Sequence, residues 1–186
     1  SLEILAVIRA AQNAHGLRHG DYRRYRQYCA RRLRRLRKAK DFRFMLAAKH
    51  SRIFNKEVLQ LAPEDVTDQR HLLVILMMAE RCWSYSREIK AEIQEDEDAR
   101  HAPRKYYHQA SRLAKACKWA RLLCTLCSAV GDARTGLEAE GYASWMDANL
   151  ALEKEQWGAA LASFDTAKQI YDQLGKVGTL EQQALI

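Results

Sequence analysis

The sequence predicts an all-α protein, an antiparallel array of about six helices. Three observations carry that expectation. Proline and glycine are scarce, 2 and 8 in 186 residues, too few to punctuate a many-stranded β fold. Apolar residues recur at steps of three and four rather than at alternate positions. Hydrophobic residues make up 48% of the chain, enough to bury a core and to exclude disorder throughout. The longest unbroken apolar run, Leu72 to Ala79, is 8 residues, whereas a membrane span needs about 20, so no membrane insertion is expected. The opening Leu2 to Arg9 lacks the basic end, long apolar stretch and cleavage site of a signal peptide. Of five cysteines, Cys82, Cys117, Cys124 and Cys127 sit in apolar-periodic surroundings, which predicts buried thiols in a reducing compartment.

The elements follow in order. A first helix is expected over Leu2 to His15, with Leu5, Ile8 and Gln12 in helical period. Gly16 and Gly20 bracket a turn, and Asp21 is placed to cap a second helix, Tyr22 to Lys40. Asp41 to Pro63 has no sustained period and reads as a loop with at most one helical turn. A third helix begins at Glu64 or Asp65 and ends at Gln94; its middle, Leu72 to Ala79, is apolar on all sides and predicts the central buried helix. Glu95 to Asp98 and then Pro103 mark a loop. A fourth helix runs from Arg104 to Val130, a fifth from Asp132 to Glu155 and a sixth from Gly158 to Leu174, ending at Gly175. Thr179 to Ile186 reads as a helix cut short, which predicts a fragment of a longer protein. Trp157, Ala160, Phe164 and Ala167 fit the second half of a tetratricopeptide pattern, and Ala143, Ala148 and Ala151 allow close packing. Both favour helix pairs stacked side by side.

Charge is distributed unevenly. The chain carries a net +8, yet Arg18 to Lys40 alone holds 11 Lys/Arg and one acid, so the remainder is net −2. Ala99 to Gly131 has 7 basic residues and no acid, and Asp132 to Ile186 is net −5. Such polarisation predicts one face for a polyanion.

Within the second helix, Tyr22, Tyr25, Cys29, Leu33 and Leu36 form one narrow apolar stripe. Arg23, Arg24, Arg26, Arg31, Arg32, Arg34, Arg35, Arg37 and Lys38 occupy most of the remaining surface. A helix with only solvation to achieve would interleave Glu with its cations; this one repels itself unless something anionic lies beside it. Nine of the segment's cations are Arg, whose guanidinium grips phosphate in a bidentate manner and stacks on bases. The apolar stripe is too thin for a membrane-surface helix. Nucleic acid is therefore the expected partner, and RNA before DNA, since no zinc-finger spacing, leucine zipper or RNP motif is present. A-form RNA has a deep, narrow major groove, so the helix needs one opened by a bulge, loop or junction. Arg18 and Lys40 extend the basic segment, Tyr22 at its start is counted among the RNA contacts as well as in the stripe, and His19 is a candidate contact to phosphate or 2′-hydroxyl. His15 is expected to shape the turn.

Other candidates carry less. In the fourth helix Arg112, Lys115, Lys118 and Arg121 recur at steps of three opposite Leu113, Cys117, Ala120 and Cys124. This row, with Arg104 and Lys105 upstream, reads equally as a secondary RNA contact or as a solvated face. Tyr106 and Tyr107 could stack on an unpaired base, but the sequence favours burial. Cys117, Cys124 and Cys127 lie along one helical face with no second CxxC, so a core stripe is favoured over zinc. Trp83, Trp119, Trp145 and Trp157 fall at core spacings. No nucleophile elbow, P-loop or GxGxxG appears. No enzyme, cofactor or resident metal is expected.

The stretch from His15 through Gly-Leu-Arg-His-Gly-Asp-Tyr22 to Lys38 strongly resembles the N-terminal RNA-binding domain family of the 68-kDa subunit of the eukaryotic signal recognition particle. Asp68 to Tyr85, Pro103 to Ala116 and Glu155 to Phe164 are similar to it as well. The resemblance spans nearly the whole chain and is weakest over Asp41 to Ala62. It implies a single helical RNA-binding domain over residues 1–186, similar to tetratricopeptide folds, with the arginine-rich helix at 21–40 and a loop at 41–63. It also implies binding to the particle RNA at a three-way junction, with that helix in the opened major groove and a nearby loop remodelled. Further implications are a structural role in co-translational targeting to the endoplasmic reticulum, only indirect contact with the ribosome, and a 72-kDa partner subunit bound through a region outside this chain. Assembly in the nucleolus and action in the cytoplasm follow from the same resemblance. The competing expectation is a helical-repeat adaptor for proteins, in which the basic segment is an import signal or grips an acidic peptide.

Overall fold

The computed structural model describes residues 2–39, 61–95 and 103–184. Lys40 and most of the loop expected at 41–63 lie outside the described residues. The elements are α1 (Ile4–Ala14), a 3-10 turn (Leu17–His19), α2 (Tyr22–Lys38), a second 3-10 turn (Pro63–Asp65), α3 (Gln69–Glu95), α4 (Pro103–Val130), α5 (Ala133–Glu153), α6 (Trp157–Val177) and the short α7 (Leu180–Gln183). Among the described residues there is no strand.

α3 is the axis of the array. Leu72, Val74, Ile75, Leu76, Met77, Met78 and Ala79 are buried, as an all-round apolar run requires. α2 packs on one side of it and α4 on the other, and α5 and α6 continue the stack. Successive long helices are antiparallel. Arg26 meets Glu88 while Arg37 meets Met78. The hydroxyl of Ser86 donates to the carbonyl of Gln109 at 3.0 Å, and the Cys117 thiol to the carbonyl of Met146 at 3.2 Å. α5 and α6 approach closely at Gly141, where a Cβ would lie 2.9 Å from the Tyr171 ring.

Several boundaries differ from the sequence reading, each for a local reason. α3 begins at Gln69 rather than at Glu64 or Asp65. The Asp68 carboxylate accepts from the amide of Arg70 at 2.8 Å and so acts as the cap, while Pro63–Asp65 closes a separate turn. α6 runs through Gly175 to Val177. A glycine costs a helix interior about 1 kcal/mol, which the burial of Leu174 next to it offsets. Trp157 opens α6 and is 64% exposed, against the expectation of core. On α1 the buried positions are Ile4, Ile8 and Ala11, so the inward face is rotated by one residue from Leu5 and Gln12. The amides of Leu2 and Leu5 donate to Thr135 Oγ1 and Glu138 Oε2 at 3.0 and 3.2 Å. α5 thus satisfies amides at the start of α1 that have no intrahelical partner.

Candidate nucleic-acid interface

The site begins with the turn that launches α2. Gly16 and Gly20 have φ of 115° and 70°, backbone that side chains disfavour. A Cβ at Gly16 would also sit 2.9 Å from the Asp21 carbonyl. The Gly16 carbonyl accepts the amides of His19 and Asp21, both at 3.0 Å. Asp21 then accepts the amide of Arg24 at 2.8 Å and caps the helix as expected. His15 stacks on Tyr28 with centroids 3.7 Å apart, which ties the turn to α2. Burial, then Arg24, Arg35 and Arg32, hold the His15 imidazole below its usual pKa.

α2 is anchored by its narrow stripe. Tyr25, Cys29 and Leu33 are buried. The Tyr25 hydroxyl donates to Glu80 Oε2 at 2.6 Å, the Tyr142 hydroxyl to Glu80 Oε1 at 2.7 Å, and the Gln12 amide to Oε2 at 3.1 Å. One buried carboxylate on α3 therefore joins α1, α2 and α5. Burial raises the Glu80 pKa against these three hydrogen bonds, and burial and Glu80 raise both tyrosines. The sequence reading missed Glu80. Its signal in the sequence is a single acid directly after the apolar run Leu72 to Ala79.

The opposite side of α2 is open. Arg23, Arg24, Arg31, Arg34, Arg35, Arg37 and Lys38 are exposed, as are Arg18 and His19 in the preceding turn. Among the described residues one acid pairs with an α2 cation. Glu88 accepts from Arg26 Nε at 2.5 Å and Nη2 at 3.1 Å. Tyr22 is half-buried, edge-on to Trp83 at 6.0 Å, so it supports the helix. Arg31 Nη2 donates to Gln27 Oε1 at 3.4 Å. The Nε of Arg32 is buried without a hydrogen-bond partner among the described residues.

α4 presents the second basic row. Leu113, Cys117 and Ala120 are buried and Cys124 half-buried, with Lys115, Lys118 and Arg121 exposed on the other side. Arg121 pairs with Asp147 at 2.9 Å, and Arg112 donates to His108 Nε2 at 3.1 Å. Arg104 is exposed and Lys105 half-buried at the start of the helix. There Tyr106 and Tyr107 are 47% and 79% exposed, which reverses the expectation of burial. α4 begins at Pro103.

Tyr85 of α3 links the two basic helices. The Arg26 guanidinium carbon lies 4.6 Å from its ring centroid and that of Arg112 lies 5.0 Å away. Those two cations are therefore no farther apart than the sum of these distances. The cysteines take no part. All five are free, and burial pushes the Cys29, Cys117 and Cys127 thiols up to about 12. Among the described residues, no three His, Cys, Asp or Glu side chains cluster to hold a metal ion. No helix there is long and apolar enough to cross a membrane.

Comparison with known proteins agrees with this architecture. The signal recognition particle subunit SRP68 of Drosophila melanogaster is 38% identical over 186 residues, 100% of this chain and 30% of the relative. The corresponding subunit of Dictyostelium discoideum is 36% identical over 99% of this chain and 29% of its own length, and that of Caenorhabditis elegans is 34% identical over 95% and 28%. The chain thus spans about 30% of the length of the curated relatives it matches. The solved structure of the SRP68-RBD from Chaetomium thermophilum superposes with a TM-score of 0.78 at 23% identity, covering 98% of this chain and 86% of that one, which shows a shared fold. A family model described as RNA-binding signal recognition particle 68 matches residues 17–186, and the chain belongs to that family.

Proposed function

We propose that this chain is an RNA-binding structural module of the signal recognition particle. It seats α2 in the major groove of the particle RNA where a three-way junction has opened it, and remodels the RNA there. The observation that carries the reading is the exposed side of α2: seven cations on one short helix, none paired with an acid among the described residues. A helix with its side chains is about 10–12 Å across, too wide for the groove of uniform A-form RNA. Arg18, His19, Arg23, Arg24, Arg31, Arg34, Arg35, Arg37 and Lys38 make the primary contacts, and the α4 cations extend the footprint. The role is positional rather than catalytic.

In the whole protein this module supports targeting of secretory and membrane proteins to the endoplasmic reticulum. The 72-kDa subunit binds elsewhere on that protein, the ribosome is reached indirectly, and the particle assembles in the nucleolus and works in the cytoplasm. Binding to a particle three-way-junction RNA and to a plain duplex of equal length, at several salt concentrations, tests the reading. A junction preference that survives at high salt is expected. Equal, salt-labile binding to both RNAs refutes it.

A further inference from the structure

The exposed crest of α2 leaves one flank of the basic surface without a role. On α3, Met78, Arg81, Tyr85 and Glu88 follow at steps of three, four and three, which places them along one line of the helix. α2 stands on one side of that line and α4 on the other. Near one end, Arg26 and Arg112 both rest on the Tyr85 ring. Toward the other, Arg37 Nη2 lies 3.8 Å from Met78 Sδ. Arg81 stands between. Its charge adds to burial in lowering the Arg37 pKa, and it acts together with Lys115 and Arg112 on the thiol of Cys82. Glu88, the acid of this line, is occupied by Arg26. Among the described residues, Arg81 and Lys115 face no acidic partner.

We propose that the surface along this line of α3, between α2 and α4, forms a trough that serves as a phosphate track, in which Arg81, Arg112 and Lys115 hold the backbone of one RNA strand. The proposal rests on the RNA-binding reading of α2 and extends it to α3. A helix lying in a nucleic-acid groove has a sugar–phosphate strand along each flank, and the trough is where the strand on the α4 side runs. Tyr85 is a positioning residue. Two guanidinium groups lie over its ring, so it fixes their direction rather than stacking on a base. Glu88 in turn holds Arg26 at the rim and keeps the floor from being uniformly repulsive.

The experiment measures log affinity against log salt for the 186-residue chain and a three-way-junction RNA. Each lost phosphate contact lowers the slope by about one. Lys115→Gln, an exposed position, is expected to lower it by about one, and Arg81→Gln with Lys115→Gln by about two. Arg81→Lys should retain the slope, and Lys168→Gln on α6 should leave it unchanged. Circular dichroism confirms that each variant is folded, and Lys115→Gln decides the matter should Arg81→Gln be misfolded. Arg34→Glu/Arg35→Glu is measured alongside. If that variant loses binding while the trough variants keep the wild-type slope, the track is refuted and the α2 reading stands. If both keep wild-type affinity and slope, both fail.

Discussion

α2 and α4 are both basic helices laid against α3, and they differ in what their cations already do. On α4, Arg121 is held by Asp147 and Arg112 by His108 and Tyr85, which leaves Lys115 and Lys118 as its exposed, open cations. On α2, among the described residues, Arg26 alone has an acid, and seven further cations are exposed. The buried sides differ as well. α4 packs against both α3 and α5 over much of its length, whereas α2 holds on through a stripe of Tyr25, Cys29 and Leu33 and the hydroxyl of Tyr25 on Glu80. The lesson is that net charge alone does not mark a polyanion site. Unsatisfied charge on a thinly anchored helix does, because binding then supplies the counter-charge that folding left out.

The largest expected effect comes from breaking the anchor. Glu80→Ala strands the donors of Tyr25, Tyr142 and Gln12. At about 1–3 kcal/mol for each buried unsatisfied group, with partial relaxation, the loss should be about 3 kcal/mol. That corresponds to roughly 6–12 °C in Tm for a chain of this size. Hydrogen exchange should rise in α2 more than in α4, and equal rises would remove the contrast between them. Glu80→Gln keeps an acceptor and should cost less. The sign of the pH dependence follows from burial. The folded Glu80 pKa is raised above its unfolded value. Its contribution to stability is thus fully present below the unfolded value and is lost as pH rises through the raised one. Glu80→Gln should flatten that dependence in urea titrations followed across pH.

A smaller effect sharpens the comparison. Arg121→Gln removes a cation already paired with Asp147 at the surface. Such pairs contribute about 0–1 kcal/mol, so junction affinity should fall less than about fivefold; a loss matching that of an α2 variant would make α4 an equal partner.

The smallest effect is at His15. Burial and then Arg24, Arg35 and Arg32 lower its pKa in the free chain. Phosphate beside those arginines would raise it again, so binding takes up a proton. Affinity should therefore increase modestly as pH falls through the range in which bound His15 takes up its proton. His15→Gln should abolish that increase. A proton release on binding, measured by calorimetry in two buffers, would contradict it.

Much of this was legible in the chain itself. The sparse Gly and Pro, the periodic apolar positions and the Asp21 cap sufficed for the helical array, and the Gly16–Gly20 turn was readable because left-handed backbone favours glycine. The arginine stripe was visible because a cation-rich helix without Glu has no local explanation. What stayed hidden depends on partners distant in sequence. Nothing local shows that Arg26 would meet Glu88, that Glu80 would be met by two tyrosines, or that Tyr85 would lie between two basic helices. Exposure at Trp157 and Tyr107 was misjudged for a related reason. Both stand in the opening turns of their helices, and periodicity alone does not report what lies across from a position.

The most direct test of the central claim is the salt dependence of junction-RNA binding for the wild-type chain and for Arg34→Glu/Arg35→Glu. Both side chains are exposed, so the fold should be unaffected. Two charge-assisted contacts at about 1.5–3 kcal/mol each predict a loss of about a hundredfold or more, with a slope lower by at least about two. Wild-type affinity and slope in that variant would show that the open cations of α2 do not hold the RNA.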